Sequence, residues 1–318
     1  MQQVYGQKQA KELFSRGLAA NRLAHAYLFQ GPGGVGKQLF ARKLAAAINC
    51  TASDGIQSCG HCGSCRRMEA GMHPDFLLVS PEKGAIKIAQ VRELIKELSF
   101  APYEAGTRVV LVEDVHIMRQ EAANSLLKTL EEPPENNILI LTADSAGNIL
   151  QTILSRCQTI PFYSLTTEET VKILREQENM DQQTALLLAR LAEGSPGKAL
   201  LFNKLDLISL RESLVAFLAD SSSGRDVESG KLLLMAERMA ALKEHLPYFL
   251  GLLRLWLRDG LIALCACEEE EQSTLTRKEW NSKQYFAKLE AIDRAEKELL
   301  RNCNRTLVCE VLLFRLTG

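Results

Sequence analysis

Seven residues, Gly31-Pro32-Gly33-Gly34-Val35-Gly36-Lys37, follow the pattern G-x-x-x-x-G-K. Glycines let a backbone curl until several N–H groups converge on one anion, and a lysine closing the curl reaches a further negative charge. The chemistry this suits is the grip on a polyphosphate, provided a strand precedes the loop and a helix follows it. The next position departs from the pattern. A Ser or Thr hydroxyl there would bind Mg²⁺, but this chain has Gln38, whose amide oxygen sits on a longer arm. Mg²⁺ demands near-ideal octahedral geometry at about 2.0–2.1 Å. Binding of ATP or ADP through Gly31, Gly33, Gly34, Gly36, Lys37 and Gln38 is therefore expected to survive, while Gln38 works against a Mg²⁺ ion and efficient hydrolysis. The plain alternative is a glycine turn with an incidental lysine.

A second acidic motif points the same way. Val109-Val110-Leu111-Val112 runs into Glu113-Asp114. A carboxylate at such a strand end holds a Mg²⁺ shell, and a following Glu positions an attacking water. Here the order is Glu then Asp, one methylene short in the water-positioning place. A misplacement of about 1 Å can cost around a hundredfold in rate. Two solvated acids at a strand end are the competing account.

Cys50, Cys59, Cys62 and Cys65 are spaced C-x8-C-x2-C-x2-C. Four soft thiolates make a closed tetrahedral Zn²⁺ site, structural because no position is left for water. An iron–sulfur cluster is the main competitor, redox thiols a weaker one. Arg66 and Arg67 follow at once, either as solvated surface or as contacts to phosphate or a partner. Cys265, Cys267, Cys303 and Cys309 fall on helical faces and are expected to be core thiols.

The elements that must position these groups alternate. Strand-like runs cover 26–30, 76–80, 108–113, 137–142 and 158–162. Helical spacing covers 38–48 and 121–131, the latter ended by Pro133-Pro134. Such alternation predicts a parallel sheet with helices on both faces, the metal knuckle being an insertion after the first of these helices. After Leu165 the strand signals stop. Thr166-Thr167-Glu168-Glu169 starts a helix, and two helices, separated near Asn179, fit before a turn at Gly194-Ser195-Pro196-Gly197. From Asp206 the pattern is helical, interrupted by a polar loop over 220–230 and an acidic run over 268–271. The expected organisation is an α/β domain over 1–165 with its knuckle at 50–65, a small helical domain over 166–205 and an all-helical domain over 206–318.

Composition sets outer limits. The chain has 318 residues, 46% hydrophobic and 24% charged, which excludes a wholly disordered polymer. A net charge of −1 excludes a globally basic nucleic-acid coat but not a local basic face. The apolar stretch 246–267 carries Arg254, Arg258 and Asp259, so a buried or half-buried helix is expected rather than a membrane span. The first residues lack a signal pattern, and nine cysteines then point to thiols or metal in a cytoplasmic setting.

Four stretches together carry a resemblance: His25-Ala26-Tyr27-Leu28-Phe29 leading into the phosphate loop, the cysteine knuckle, the run from Glu121-Ala122-Ala123-Asn124 to Glu131-Glu132-Pro133-Pro134, and Thr152-Ile153-Leu154-Ser155-Arg156-Cys157. They resemble bacterial DNA polymerase III clamp-loader subunits of the AAA+ class. The resemblance covers about 1–162 densely and the helical segments only in length and order. It implies that 166–205 is a lid and 206–318 a collar that assembles with gamma/tau and delta subunits. It also implies action on a sliding clamp and, through the assembly, on primed DNA. It gives Arg156 the role of a finger reaching a neighbour's ATP, Thr142 that of the sensor-1 residue, and Lys198 a place in the sensor-2 turn. Read locally, without the flanking match, Arg156 is better explained as an ordinary surface ion pair, and a satisfied strand-end hydroxyl accounts for Thr142 almost as well. Gln38, the inverted Glu113-Asp114 pair and Gly197, where motors have arginine, favour the delta-prime branch. The alternatives are an ATP-hydrolysing gamma/tau-like motor and a module whose knuckle binds DNA directly.

Overall fold

The computed structural model describes residues 4–82, 84–104, 106–144, 149–221, 229–266 and 280–317. The acidic run at 268–271, Cys267 and most of the polar loop at 220–230 lie outside them. The chain divides into two compact units, 1–199 and 200–318.

The first unit is built on five strands: β1 (Ala26–Gln30), β2 (Phe76–Val79), β3 (Arg108–Val112), β4 (Asn137–Ala143) and β5 (Gln158–Pro161). All pairs are parallel, in the order β2-β3-β4-β1-β5. Central strands covered on both faces need continuous apolar sequence, and β3 and β4 are buried throughout. The outer strands β2 and β5 are partly exposed, and Pro161, which has no N–H for a ladder, sits in an edge strand.

Side chains alternate across the sheet with the strand period of two. Leu28, Val110, Val112, Leu139 and Leu141 face one way, against α4 (Ile88–Leu98) and α5 (Gln120–Glu131). Tyr27, Phe29, Val109, Leu111, Ile138 and Ile140 face the other, against α1 (Lys8–Ala19) and α2 (Lys37–Ile48). Phe14, Tyr27, Phe29, Phe40 and Phe162 form a ring cluster on this second face, with centroids 4.7 to 5.7 Å apart. The strands fall within one residue of their expected bounds. Helices α1 and α4 are additions to the sequence reading.

The knuckle leaves the end of α2 and returns through the short α3 (Gly63–Glu69). It is pinned to the sheet by polar contacts: Ser64 bonds His73 at 3.0 Å, and Arg67 bonds Glu104. Buried Asp75 accepts the N–H groups of Tyr103 and Glu104. Buried Arg108 donates to the carbonyls of Glu97, Phe100 and Ala101, capping the end of α4.

A short α6 (Gln151–Leu154) precedes β5. Beyond β5, α7 (Thr167–Glu178) starts with a Thr166–Glu169 capping box and α8 (Gln182–Leu191) with an Asp181 cap. The turn at 194–197 is not the end of the helical run. It opens a third helix, α9 (Pro196–Lys204), which crosses the boundary between the units. The sequence Ser195-Pro196 reads as a turn, but it also places a hydroxyl at the cap and proline at the first helical position, where a missing N–H costs nothing. Ser195 Oγ accepts the Lys198 N–H at 3.3 Å, as a cap should.

The second unit is helical: α10 (Leu207–Ser221), α11 (Ser229–Ala240), α12 (Leu246–Ala266), α13 (Ser282–Leu300) and α14 (Arg305–Thr317). Helix α11 packs on α14, and α13 on both α12 and α14. Arg254 in α12 pairs with Asp293 and Glu296 of α13 at 2.7 and 2.6 Å, which explains a charge inside an apolar run. Among the described residues no helix is long and apolar enough to cross a membrane. Cys309 is buried, as expected, but Cys303 is exposed in the connection between α13 and α14 rather than in a core.

Candidate functional site

In a parallel α/β sheet, residues just past the strand ends converge on the carboxyl edge, and a crevice opens where the strand order reverses. Here β1 lies between β4 and β5, and the loop at 31–36 leaves β1 at that edge. Gly34 and Gly36 take positive φ, 75° and 96°, which curls the loop into the start of α2. The N–H groups of the first helical turn, Lys37 and Gln38 among them, have no intrahelical partner and face the curl. The cradle therefore has the build for an anion. Gln38 is exposed at its rim.

Lys37 is only 5% exposed, folded over its own loop. Its Nζ donates to the carbonyls of Gly31 and Pro32 at 2.7 and 2.8 Å and to Asp144 Oδ1 at 2.5 Å. Asp144 follows β4, is 43% exposed and donates its N–H to His116 Nδ1 at 3.3 Å.

Past β3, Glu113 is buried and accepts a hydrogen bond from Ser80 Oγ, at the end of β2, at 2.8 Å. Ser80 is held in turn by Gln90 of α4 through its carbonyl. Burial raises the Glu113 pKa above the usual carboxylate range, against the pull of the Ser80 bond and the Arg42 charge. Asp114 adopts a left-handed backbone, φ 53°, and its N–H donates to Thr142 Oγ1 at 3.0 Å. Its pKa is also raised, first by burial and then by the like charge of Asp144, with His116 and Lys37 opposing. Thr142 is fully buried and holds the Asp114 turn.

The 194–197 turn closes on the loop from the other side. Ser195 Oγ donates to the Gly33 carbonyl at 2.7 Å, and the Gly197 N–H to the Gly34 carbonyl at 3.0 Å. A side chain on Gly34 would lie 2.5 Å from Ser195 Oγ and 3.0 Å from the Lys198 nitrogen. The Lys198 backbone thus borders the loop. Gln7, buried at the start of α1, ties Val35 of the loop to Tyr163.

The site brings together Gly31, Gly33, Gly34, Gly36, Lys37, Glu113, Asp114, Thr142 and Lys198. It adds Gln7, Ser80, Asp144 and Ser195. Ser80 and Asp144 occupy the same post-strand position as Glu113, and that rule is the signal that finds them.

Arg156 lies elsewhere. It precedes β5, and its partner Glu131 ends α5 ahead of β4, so both stand at the amino edge of the sheet. A strand's length, roughly 15 Å, separates that edge from the phosphate loop. Arg156 is 32% exposed. It bonds Glu131, the Thr152 carbonyl at 2.9 Å and Ser155 Oγ at 3.0 Å. The neighbouring Cys157 thiol is pushed up to about 12 by burial, which makes it an inert packing group.

The sulfurs of Cys50, Cys59, Cys62 and Cys65 lie within 4.8 Å of one another. A tetrahedral ion with bonds of about 2.3 Å needs sulfurs about 3.8 Å apart. The N–H groups of Cys59, Cys62 and Cys65 point at the sulfurs of Cys50, Cys59 and Cys62 at 3.2 to 3.4 Å. Cys62 is lowered to about 5, chiefly by the Cys65 and Thr51 N–H groups. Such donors favour the thiolate at Cys59 and Cys62, whereas burial pushes the Cys65 thiol up to about 12; the closeness of the four sulfurs is what gives the cluster the build to hold a metal.

Residues 6–166, half of the chain, match the family model described as "DNA polymerase III, delta subunit". The chain is 36% identical over 209 residues to DNA polymerase III subunit delta' of Escherichia coli (strain K12), covering 65% of this chain and 63% of the relative. It is 37% identical over 202 residues to DNA polymerase III subunit tau of the same organism, covering 62% of this chain and 31% of the relative. It thus spans less than two thirds of the length of either. Among solved structures, a gamma-subunit-related protein of DNA polymerase III from Thermotoga maritima aligns with 96% of this chain and 98% of its own, at 20% identity and a TM-score of 0.43. The matched span contains the phosphate loop, the cysteine knuckle, the 121–134 run and the 152–157 run, and the chain belongs to the DNA polymerase III delta-subunit family of clamp-loader subunits.

Proposed function

We propose that this chain is the delta-prime, stator-like subunit of the clamp loader. It joins gamma/tau and delta subunits in a hetero-oligomer in the cytoplasm and helps place the sliding clamp on primed DNA. Residues 1–165 form the AAA+ domain, 166–205 its lid and 206–318 the collar. Arg156 carries the reading: it stands on the edge of the sheet opposite its own phosphate loop, out of reach of a nucleotide there, which supports a role at a nucleotide held by another subunit. An arginine on a γ-phosphate stabilises the charge that spreads in the transition state, worth about 10³–10⁵ in rate. Glu131 and the Thr152 carbonyl hold it extended at the surface until a phosphate replaces the carboxylate. The chain's own loop takes ATP or ADP but turns it over poorly, because Gln38 offers no short hydroxyl and Glu113 and Asp114 stand in inverted order. Zn²⁺ in the four-cysteine knuckle is structural.

The test is DNA-stimulated ATP turnover by the reconstituted loader with Arg156→Ala in this chain alone. A large drop supports the reading, and unchanged turnover rejects it. The motor reading is favoured by the complete 31–37 loop. It requires ATP turnover by this chain that Lys37→Ala abolishes.

A further inference from the structure

A protonated lysine has three N–H donors. In Lys37 all three are engaged: by Gly31 O, Pro32 O and Asp144 Oδ1. The first two acceptors are neutral and belong to the loop itself. The third is a carboxylate oxygen, the same kind of acceptor as a phosphate oxygen, and charge-assisted bonds of this type are the strong ones. The other oxygen of Asp144 lies against the loop: a Cβ on Gly33 would stand 2.8 Å from Oδ2. The carboxylate therefore covers the loop between Gly33 and Lys37. Its backbone is held there by His116, and its exposure makes the bond exchangeable.

We propose that Asp144 is a built-in competitor for the nucleotide: its carboxylate takes the Lys37 ammonium that a β- or γ-phosphate oxygen would take, and a nucleotide binds only by exchanging that bond. This rests on the reading of the loop as a nucleotide site. Asp144 is then a specificity-determining residue that weakens occupancy, and it acts through Lys37 rather than through bound metal. Asp114, facing Asp144, adds a second negative charge that Lys37 offsets in the closed state.

The experiment measures binding of a fluorescent ADP analogue, with unlabelled ATP and ADP as competitors, to the full chain and its variants. Asp144→Asn keeps the shape and removes the charge. It is expected to bind about tenfold tighter, the fold-change for roughly 1.4 kcal/mol, and Asp144→Ala likewise. In a Lys37→Ala background, Asp144→Asn is expected to give no gain. Equal or weaker binding by Asp144→Asn overturns the proposal. So does a gain that persists without Lys37, or absence of binding by every variant. Matching circular dichroism melts show that the variants fold. Arg156→Ala is read at a neighbour's site, so the two readings fail separately.

Discussion

Glu113 holds a carboxylate where most of its water has been removed, and Ser80 offers it a side-chain hydroxyl in exchange. Because its folded pKa is raised, the charged form costs stability at pH values above that pKa, and protonation on acidification relieves the cost. Glu113→Gln keeps an acceptor for Ser80 and removes the charge. It is expected to raise Tm at pH 7–8, with the gain shrinking as the pH falls toward the carboxylate range. Melts of both proteins across pH check this. The cysteine cluster makes the second prediction at this scale. The purified chain should carry one zinc ion, and Cys65→Ser should lose it and lower Tm, with chelator doing the same to the wild type; metal analysis beside melting decides it. Lys37, Glu113 and the four thiols were legible because each sits in a spaced pattern with its own chemistry. Asp144, Ser80 and Gln7 belong to no local pattern. They matter because a parallel sheet gathers its strand ends, and that convergence exists only once the strands are ordered in space.

At the scale of elements, the strands were readable because β3 and β4 are buried on both faces and so spell near-continuous apolar runs. Helix α9 was hidden because Ser195-Pro196 serves a turn and a helix start equally well. The same serine makes two hydrogen bonds, one capping α9 and one gripping Gly33. Ser195→Ala removes both and leaves the part-buried Gly33 carbonyl without this donor. The expected loss is about 1–3 kcal/mol of stability in urea melts, with weaker nucleotide binding because the loop tip is released. His73, which bonds Ser64 of the knuckle, and Asp75 and Arg108, which hold the segment after α4, were equally invisible, since each reaches a partner outside its own element.

The scale of the whole chain adds a constraint on nucleic acid. With 38 basic and 39 acidic side chains, this chain has no overall positive charge to draw it onto DNA. Its isolated affinity for DNA is expected to be weak, with a salt slope corresponding to about two phosphates or fewer; a steep slope would assign direct binding to the knuckle and its arginines. The helices of 167–191 fall in the same compact unit as the sheet, a grouping that the end of the strand signals after Leu165 does not reveal.

The separation of Arg156 from the phosphate loop by the length of a strand has a geometric corollary. A contact that joins one chain's amino edge to another chain's carboxyl edge has a direction, like a head meeting a tail, and it never pairs like with like. A row built through such contacts has two unequal ends. Under the proposed role of Arg156, a chain whose arginine faces a neighbour while Asp144 keeps its own Lys37 engaged would take one of those ends.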